Sequence, residues 1–230
     1  MTFAKKVIQF NKQVDFTGTL PADISIMNPF KESPLAVHIT EQFYNKYYND
    51  NNKRHLILGI NPGRFGGGVT GVPFTDSKRL KSACGILYDG KETHEPSSVF
   101  IYEMIDAFGG AEEFYSHIYI NSMFPLGFTA TNAAGKEVNY NYYDSKELTA
   151  TVYDAIIENI KKQIDIGCFT DTCFCFGTGT NEKFLKKINQ EHRFFKNIVA
   201  LEHPRFIMQY KTKTKQQYIN KYIAAFRSVI

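Results

Sequence analysis

Four short apolar runs are separated by stretches whose apolar positions recur at helical spacing. The runs are residues 54–60, 117–121, 172–176 and 197–202, each the length of a strand. Leu56-Ile57-Leu58 and Cys173-Phe174-Cys175-Phe176 show no in-and-out alternation, as expected of strands covered on both faces. Between them the spacing predicts helices. Residues 1–14 carry Phe3, Val7, Ile8 and Phe10, and a second helix starts at Ser33, with Pro34 in its first turn and Leu35, Ile39, Phe43 and Tyr47 on one side. Asp76 is placed to cap a short helix through Leu80 and Ala83. Residues 97–108 present Phe100, Ile101, Met104, Ile105 and Phe108, and Asp144-Ser145-Lys146-Glu147 has the spacing of a capped start for a helix reaching Ile164. Two more helices are expected over 182–189 and 214–229. Residues 21–29 read as a connector, the stretch around Asp89-Gly90 as hairpin-like, and residues 127–143 as an excursion with a loose hairpin.

Strands alternating with helices predict an α/β fold of three layers, α/β/α, with a central four-stranded parallel sheet. The length of 230 residues fits one domain spanning 1–230, with the N-terminal helices of residues 1–50 packed on it. In such sheets ligands bind beyond the carboxyl ends of the strands. Here those ends present Asn61, Asn121, Gly177-Thr178 and His203, so these are expected to converge on one pocket suited to a polar, uncharged ligand.

The first strand end is the most unusual stretch of the chain. Gly59-Ile60-Asn61-Pro62-Gly63-Arg64-Phe65-Gly66-Gly67-Gly68-Val69-Thr70-Gly71-Val72-Pro73-Phe74 contains six glycines in sixteen residues. Such a loop lets backbone approach a flat or anionic group, while its two prolines stiffen the path. Asn61 and Phe74 are its candidate functional side chains.

Composition narrows the classes. No apolar run approaches the roughly 20 residues of a membrane span, and the first fifteen residues lack a signal-peptide core, so a cytoplasmic protein is expected. Twenty Phe and fourteen Tyr against no Trp supply rings for packing or for stacking on bases. Cys84, Cys168, Cys173 and Cys175 lack metal-ligand spacing and read as reduced, buried thiols. The net charge is only +4, yet residues 182–215 hold nine Lys/Arg against three Glu. That imbalance suits a polyanionic partner or a solvated basic face. Dinucleotide, phosphate-loop, zinc-protease and hydrolase-elbow motifs are all missing, and the six histidines are scattered.

Taken together, Gly59-Ile60-Asn61-Pro62-Gly63 and Thr70-Gly71-Val72-Pro73-Phe74 resemble the first motif of the uracil-DNA glycosylase superfamily, closest to its single-strand-selective monofunctional branch. Asn121 before Phe124-Pro125-Leu126 resembles that branch's base-reading asparagine, and His203-Pro204 the opening of its second motif. The family's second motif continues His-Pro-Ser-Pro-Arg-Asn; this chain continues Arg205-Phe206-Ile207-Met208-Gln209.

The resemblance implies a monofunctional DNA glycosylase, a repair enzyme without cofactor or metal that acts as a monomer on single- or double-stranded DNA. Such an enzyme flips uracil or a related deaminated or oxidised base out of the stack and hydrolyses its N-glycosidic bond. Asn61 would orient the water and His203 would donate to the carbonyl oxygen that gains charge. Phe74 would stack on the ring, Asn121 would read the N3–H and O4 edge, and backbone N–H groups of Gly63, Arg64 and Phe65 would hold the other carbonyl. Arg205, Lys211, Lys213 and Lys215 would grip phosphates, and Phe206, in an apolar triplet at a loop tip, would fill the vacated stack. The residues by themselves also admit a core Phe74, a turn-capping Asn121, a structural His203 and a buried Phe206-Ile207-Met208. The alternative function is a non-catalytic base- or nucleotide-binding module on the same fold.

Overall fold

The structure, a computed structural model, describes all 230 residues. The chain runs α1 (Phe3–Gln13), β1 (Ile24–Met27), α2 (Pro29–Glu32), α3 (Pro34–Tyr47), β2 (His55–Gly59), α4 (Gly67–Thr70), α5 (Ser77–Ser82), α6 (Pro96–Phe108) and α7 (Ala111–His117). It continues through β3 (Ile118–Ser122), β4 (Gly127–Thr131), β5 (Glu137–Tyr140), α8 (Lys146–Asp165), β6 (Thr172–Phe176), α9 (Thr180–His192), β7 (Asn197–Leu201), α10 (Pro204–Tyr210) and α11 (Lys215–Arg227).

The parallel sheet has the order β3-β2-β6-β7. Every residue of β2, β3 and β6 is buried, so both faces are covered, and the α/β class and four-stranded parallel sheet agree with the sequence reading. From β2 the chain steps to one side for β3 and then crosses to the other for β6. This reversal opens a crevice at the carboxyl ends of β2 and β6, where the glycine loop begins.

The N-terminal helices share the core. Phe3, Val7 and Phe10 of α1 belong to the same buried cluster as the sheet. Arg54 closes that end: it is fully buried, paired with Asp50 through two hydrogen bonds of 2.8 and 2.7 Å, and packed against the stacked Phe3 and Tyr48 rings. All four cysteines are free and buried. No helix is long and apolar enough to cross a membrane.

Three stretches differ from expectation. The connector contains β1, which pairs with β4 and, through it, β5 in a second, antiparallel sheet of order β1-β4-β5. Four residues of Ile-Ser-Ile-Met carry too little pattern to announce a strand, and partners distant in sequence make it one. The stretch around Asp89-Gly90 forms no hairpin. Phe206-Ile207-Met208 lies in α10 rather than at a loop tip, because His203 caps that helix and Pro204 opens it.

Candidate active site

A cavity of about 560 Å³ lies beyond the strand ends, and Asn61, Phe74 and His203 all line it. Asn61 leaves β2 with its side-chain amide clamped. Its Nδ2 donates to the Tyr140 carbonyl at 3.0 Å, and its Oδ1 accepts the Tyr142 N–H at 3.1 Å. These two bonds fix which end of the amide is which and leave one N–H and one lone pair for a water or substrate. The clamp is itself anchored, since the buried Tyr142 donates its hydroxyl to Asn181 at 2.7 Å.

Farther along the loop, the Arg64 N–H is taken by Asn139 Oδ1 at 3.0 Å, which corrects the expectation that it faces a base. The N–H groups of Gly63 and Phe65 have no acceptor in the protein. The Arg64 guanidinium covers the exposed Phe65 ring at 4.6 Å and lies 3.7 Å from Glu137.

Phe74 sits at φ +53°, a left-handed backbone rarely taken by an aromatic residue. The buried Thr70 hydroxyl stabilises it by donating to the Thr75 carbonyl at 2.7 Å. The ring meets Phe176 edge-on at 5.4 Å and His203 at 5.7 Å. Gly59 leaves room for it, since a Cβ there would lie 3.0 Å from the Phe74 ring and push it aside. Phe74 is half-buried, packing against the core on one side and lining the cavity on the other.

His203 caps α10, with Nδ1 accepting the Arg205 N–H at 3.2 Å. An accepting Nδ1 carries no proton in the neutral ring, so Nε2 is the donor. Burial, reinforced by the Arg205 cation, holds the imidazole down to about 4. His203 is therefore a neutral donor at physiological pH, suited to an oxygen that gains negative charge.

The convergence is incomplete. Ser122 lines the cavity, whereas Asn121, one residue earlier in β3, borders a separate small space behind Pro62, Gly67 and Pro73. Asn121 Nδ2 donates to the Tyr119 hydroxyl at 2.7 Å, and its Oδ1 accepts the Ser122 N–H. Adjacent strand residues face opposite ways, and here that alternation puts the serine in the cavity. Gly177 and Thr178 do not line it either. Of the basic residues, Arg205 lines the cavity, Lys211 and Lys213 are exposed outside its lining, and Lys215 is ion-paired with Glu103. In the apolar triplet Ile207 is fully buried, while Phe206 is 41% exposed, lines the cavity and meets the Tyr210 ring at a tilt, 5.4 Å between centroids.

Other lining residues carried no motif: Glu95, Ser97, Ser122, Asn139, Asn141 and Tyr143. Three of them come from the excursion after β4, whose run of tyrosines and asparagines beside glycine was the available signal.

Comparison with known proteins agrees with this geometry. A model of the uracil DNA glycosylase superfamily matches residues 45–227. The crystal structure of wild-type Pedobacter heparinus SMUG2 superimposes with a TM-score of 0.97 at 67% identity, covering 100% of this chain and 98% of that one. No curated protein matches the chain. With the first-motif loop, the parallel sheet and the histidine at its last strand all in place, the chain belongs to the uracil-DNA glycosylase superfamily, in its single-strand-selective monofunctional branch.

Proposed function

We propose that the protein excises uracil, or a related deaminated or oxidised base, from DNA by hydrolysing the N-glycosidic bond without forming a covalent link to the sugar. The observation that carries this reading is the meeting of Asn61, Phe74 and a neutral His203 in one cavity. Cleavage separates a cationic sugar from an anionic base. His203 Nε2–H donates to the base oxygen that gains charge, Phe74 stacks on the flipped ring, and the free N–H groups of Gly63 and Phe65 hold the second carbonyl. Asn61, oriented by Tyr140 and Tyr142, holds the water with its remaining N–H and lone pair. An oxocarbenium-like centre needs little activation of that water. Asn121 carries the base-edge role on the resemblance alone, and reaching the base requires its amide to leave the Tyr119 hydroxyl.

Uracil-containing single- and double-stranded oligonucleotides, incubated with the protein and then cleaved at abasic sites with alkali, test the reading. Product is expected, and His203→Ala should lower its rate about 10²- to 10³-fold with little change in melting temperature. Absence of product from a full panel of deaminated and oxidised bases would falsify the glycosylase reading, and saturable binding without cleavage would replace it with a binding module.

A further inference from the structure

Glu95 stands at the N-cap of α6, where a carboxylate ordinarily accepts first-turn N–H groups and gains from the helix dipole. It makes no such bond. Its backbone N–H is held by the buried Asp76 at 2.7 Å, and its side chain turns away into the cavity, where the carboxyl oxygens have no hydrogen-bond or ion-pair partner. There it lies across the first-motif loop. A Cβ added at Gly63 would be 2.9 Å from Oε1, and one at Gly66 only 2.0 Å from Oε2. The carboxyl thus fills the space left by two glycines, next to Gly63, whose N–H is free, while Phe65 lines the adjoining groove.

We propose that Glu95 is a further catalytic residue, a neutral carboxylic acid that donates a hydrogen bond to the departing base alongside the N–H group of Gly63. The proposal rests on the reading that this cavity holds the base. A carboxylate at that place would repel the negative charge that cleavage puts on the base; a carboxylic acid stabilises it, because the site supplies the proton to a hydrogen bond without transferring it. The surroundings favour the acid. Burial, and then the charge of Asp76, push the carboxyl up to about 7, and Arg205 on α10 acts against them. The other ionisable groups nearby are largely committed: Asp76 to Arg79, Arg64 to Glu137, and His203 to its neutral form. Tyr143, which also lines the cavity, is held neutral by burial.

The test compares the wild-type chain with Glu95→Gln and Glu95→Ala on single-stranded oligonucleotides carrying deoxyuridine or its cleavage-resistant 2′-fluoro analogue. Wild-type kcat should fall above pH 7, approaching about tenfold per pH unit. Glu95→Gln, which keeps an N–H donor, should retain most of the pH 6 rate and lose the alkaline fall. Glu95→Ala should be about 10²-fold slower at pH 6. A wild-type rate that is flat or rising from pH 6 to pH 9, or a Gln variant as slow as the Ala variant, overturns the proposal. Binding of the fluoro analogue gives a readout independent of turnover: wild-type affinity should weaken above pH 7 and that of Glu95→Gln should not. That binding pattern without any turnover would sink the glycosylase reading and leave the Glu95 donor standing, whereas a pH-independent wild-type affinity overturns the donor itself.

Discussion

Glu95 and His203 depart from their ordinary proton affinities in opposite directions, which gives their contributions to stability opposite signs. His203 is lowered to about 4 in the fold, so between there and its ordinary value near 6.5 the unfolded chain holds more protons and stability falls as pH falls. Glu95 is raised from 4.5 to about 7, so in that interval the folded chain holds more protons and stability falls as pH rises. Above pH 7 the half-buried, unpaired carboxylate is a standing cost that Glu95→Gln removes. Thermal unfolding should show the Gln variant more stable by about 2 kcal/mol at pH 8, with the gain gone by pH 4. A gain that does not change with pH would trace the effect to packing instead. Glu95 was also the least legible of the site residues, because a glutamate before Pro96 reads as an ordinary surface cap. Asn61, Phe74 and His203 were legible because the chemistry demands particular residue types next to glycines and prolines at strand ends, a signal carried within a few positions.

At the level of elements, the strands that build the parallel sheet were readable because burial on both faces leaves an uninterrupted apolar run. The antiparallel sheet was not. Ile24–Met27 is a strand only because Gly127 to Ala130 lie across from it, and β5 is short and mostly polar. Yet this sheet leads directly into the clamp on Asn61 and carries Asn139, which holds the Arg64 N–H. The first-motif loop is therefore braced by a segment some 75 residues away in sequence. Asn139→Ala leaves that N–H without its partner and should loosen the Gly63–Phe65 donors. The expected result is about a fivefold loss in kcat/KM for uracil excision, since one hydrogen bond contributes about 1 kcal/mol, with the melting temperature nearly unchanged. An unchanged kcat/KM would mean that the loop holds its shape without this brace.

Across the whole molecule, the basic excess of residues 182–215 is partly offset by ion pairs. Lys186 pairs with Glu182 along α9, and Lys215 is drawn to Glu103 on α6. Arg205 is the cation of that run that reaches the cavity, where it also borders an adjoining groove of about 510 Å³ with Arg64 and His94. Linear charge counting missed this because it cannot see which lysines meet carboxylates from other elements. Each phosphate neutralised on binding contributes about one unit to the dependence of affinity on salt. Arg205→Ala should therefore weaken single-stranded DNA binding and flatten the plot of log Kd against log salt by about one unit. Lys215→Ala should leave the slope unchanged, because its charge is already balanced by Glu103. Equal slopes for the two variants would mean that DNA is gripped by the outer lysines, Lys211 and Lys213, rather than at the mouth of the cavity. A shallower slope for Arg205→Ala alone places the phosphate contact two residues from His203, so the strand would be held where its base is removed.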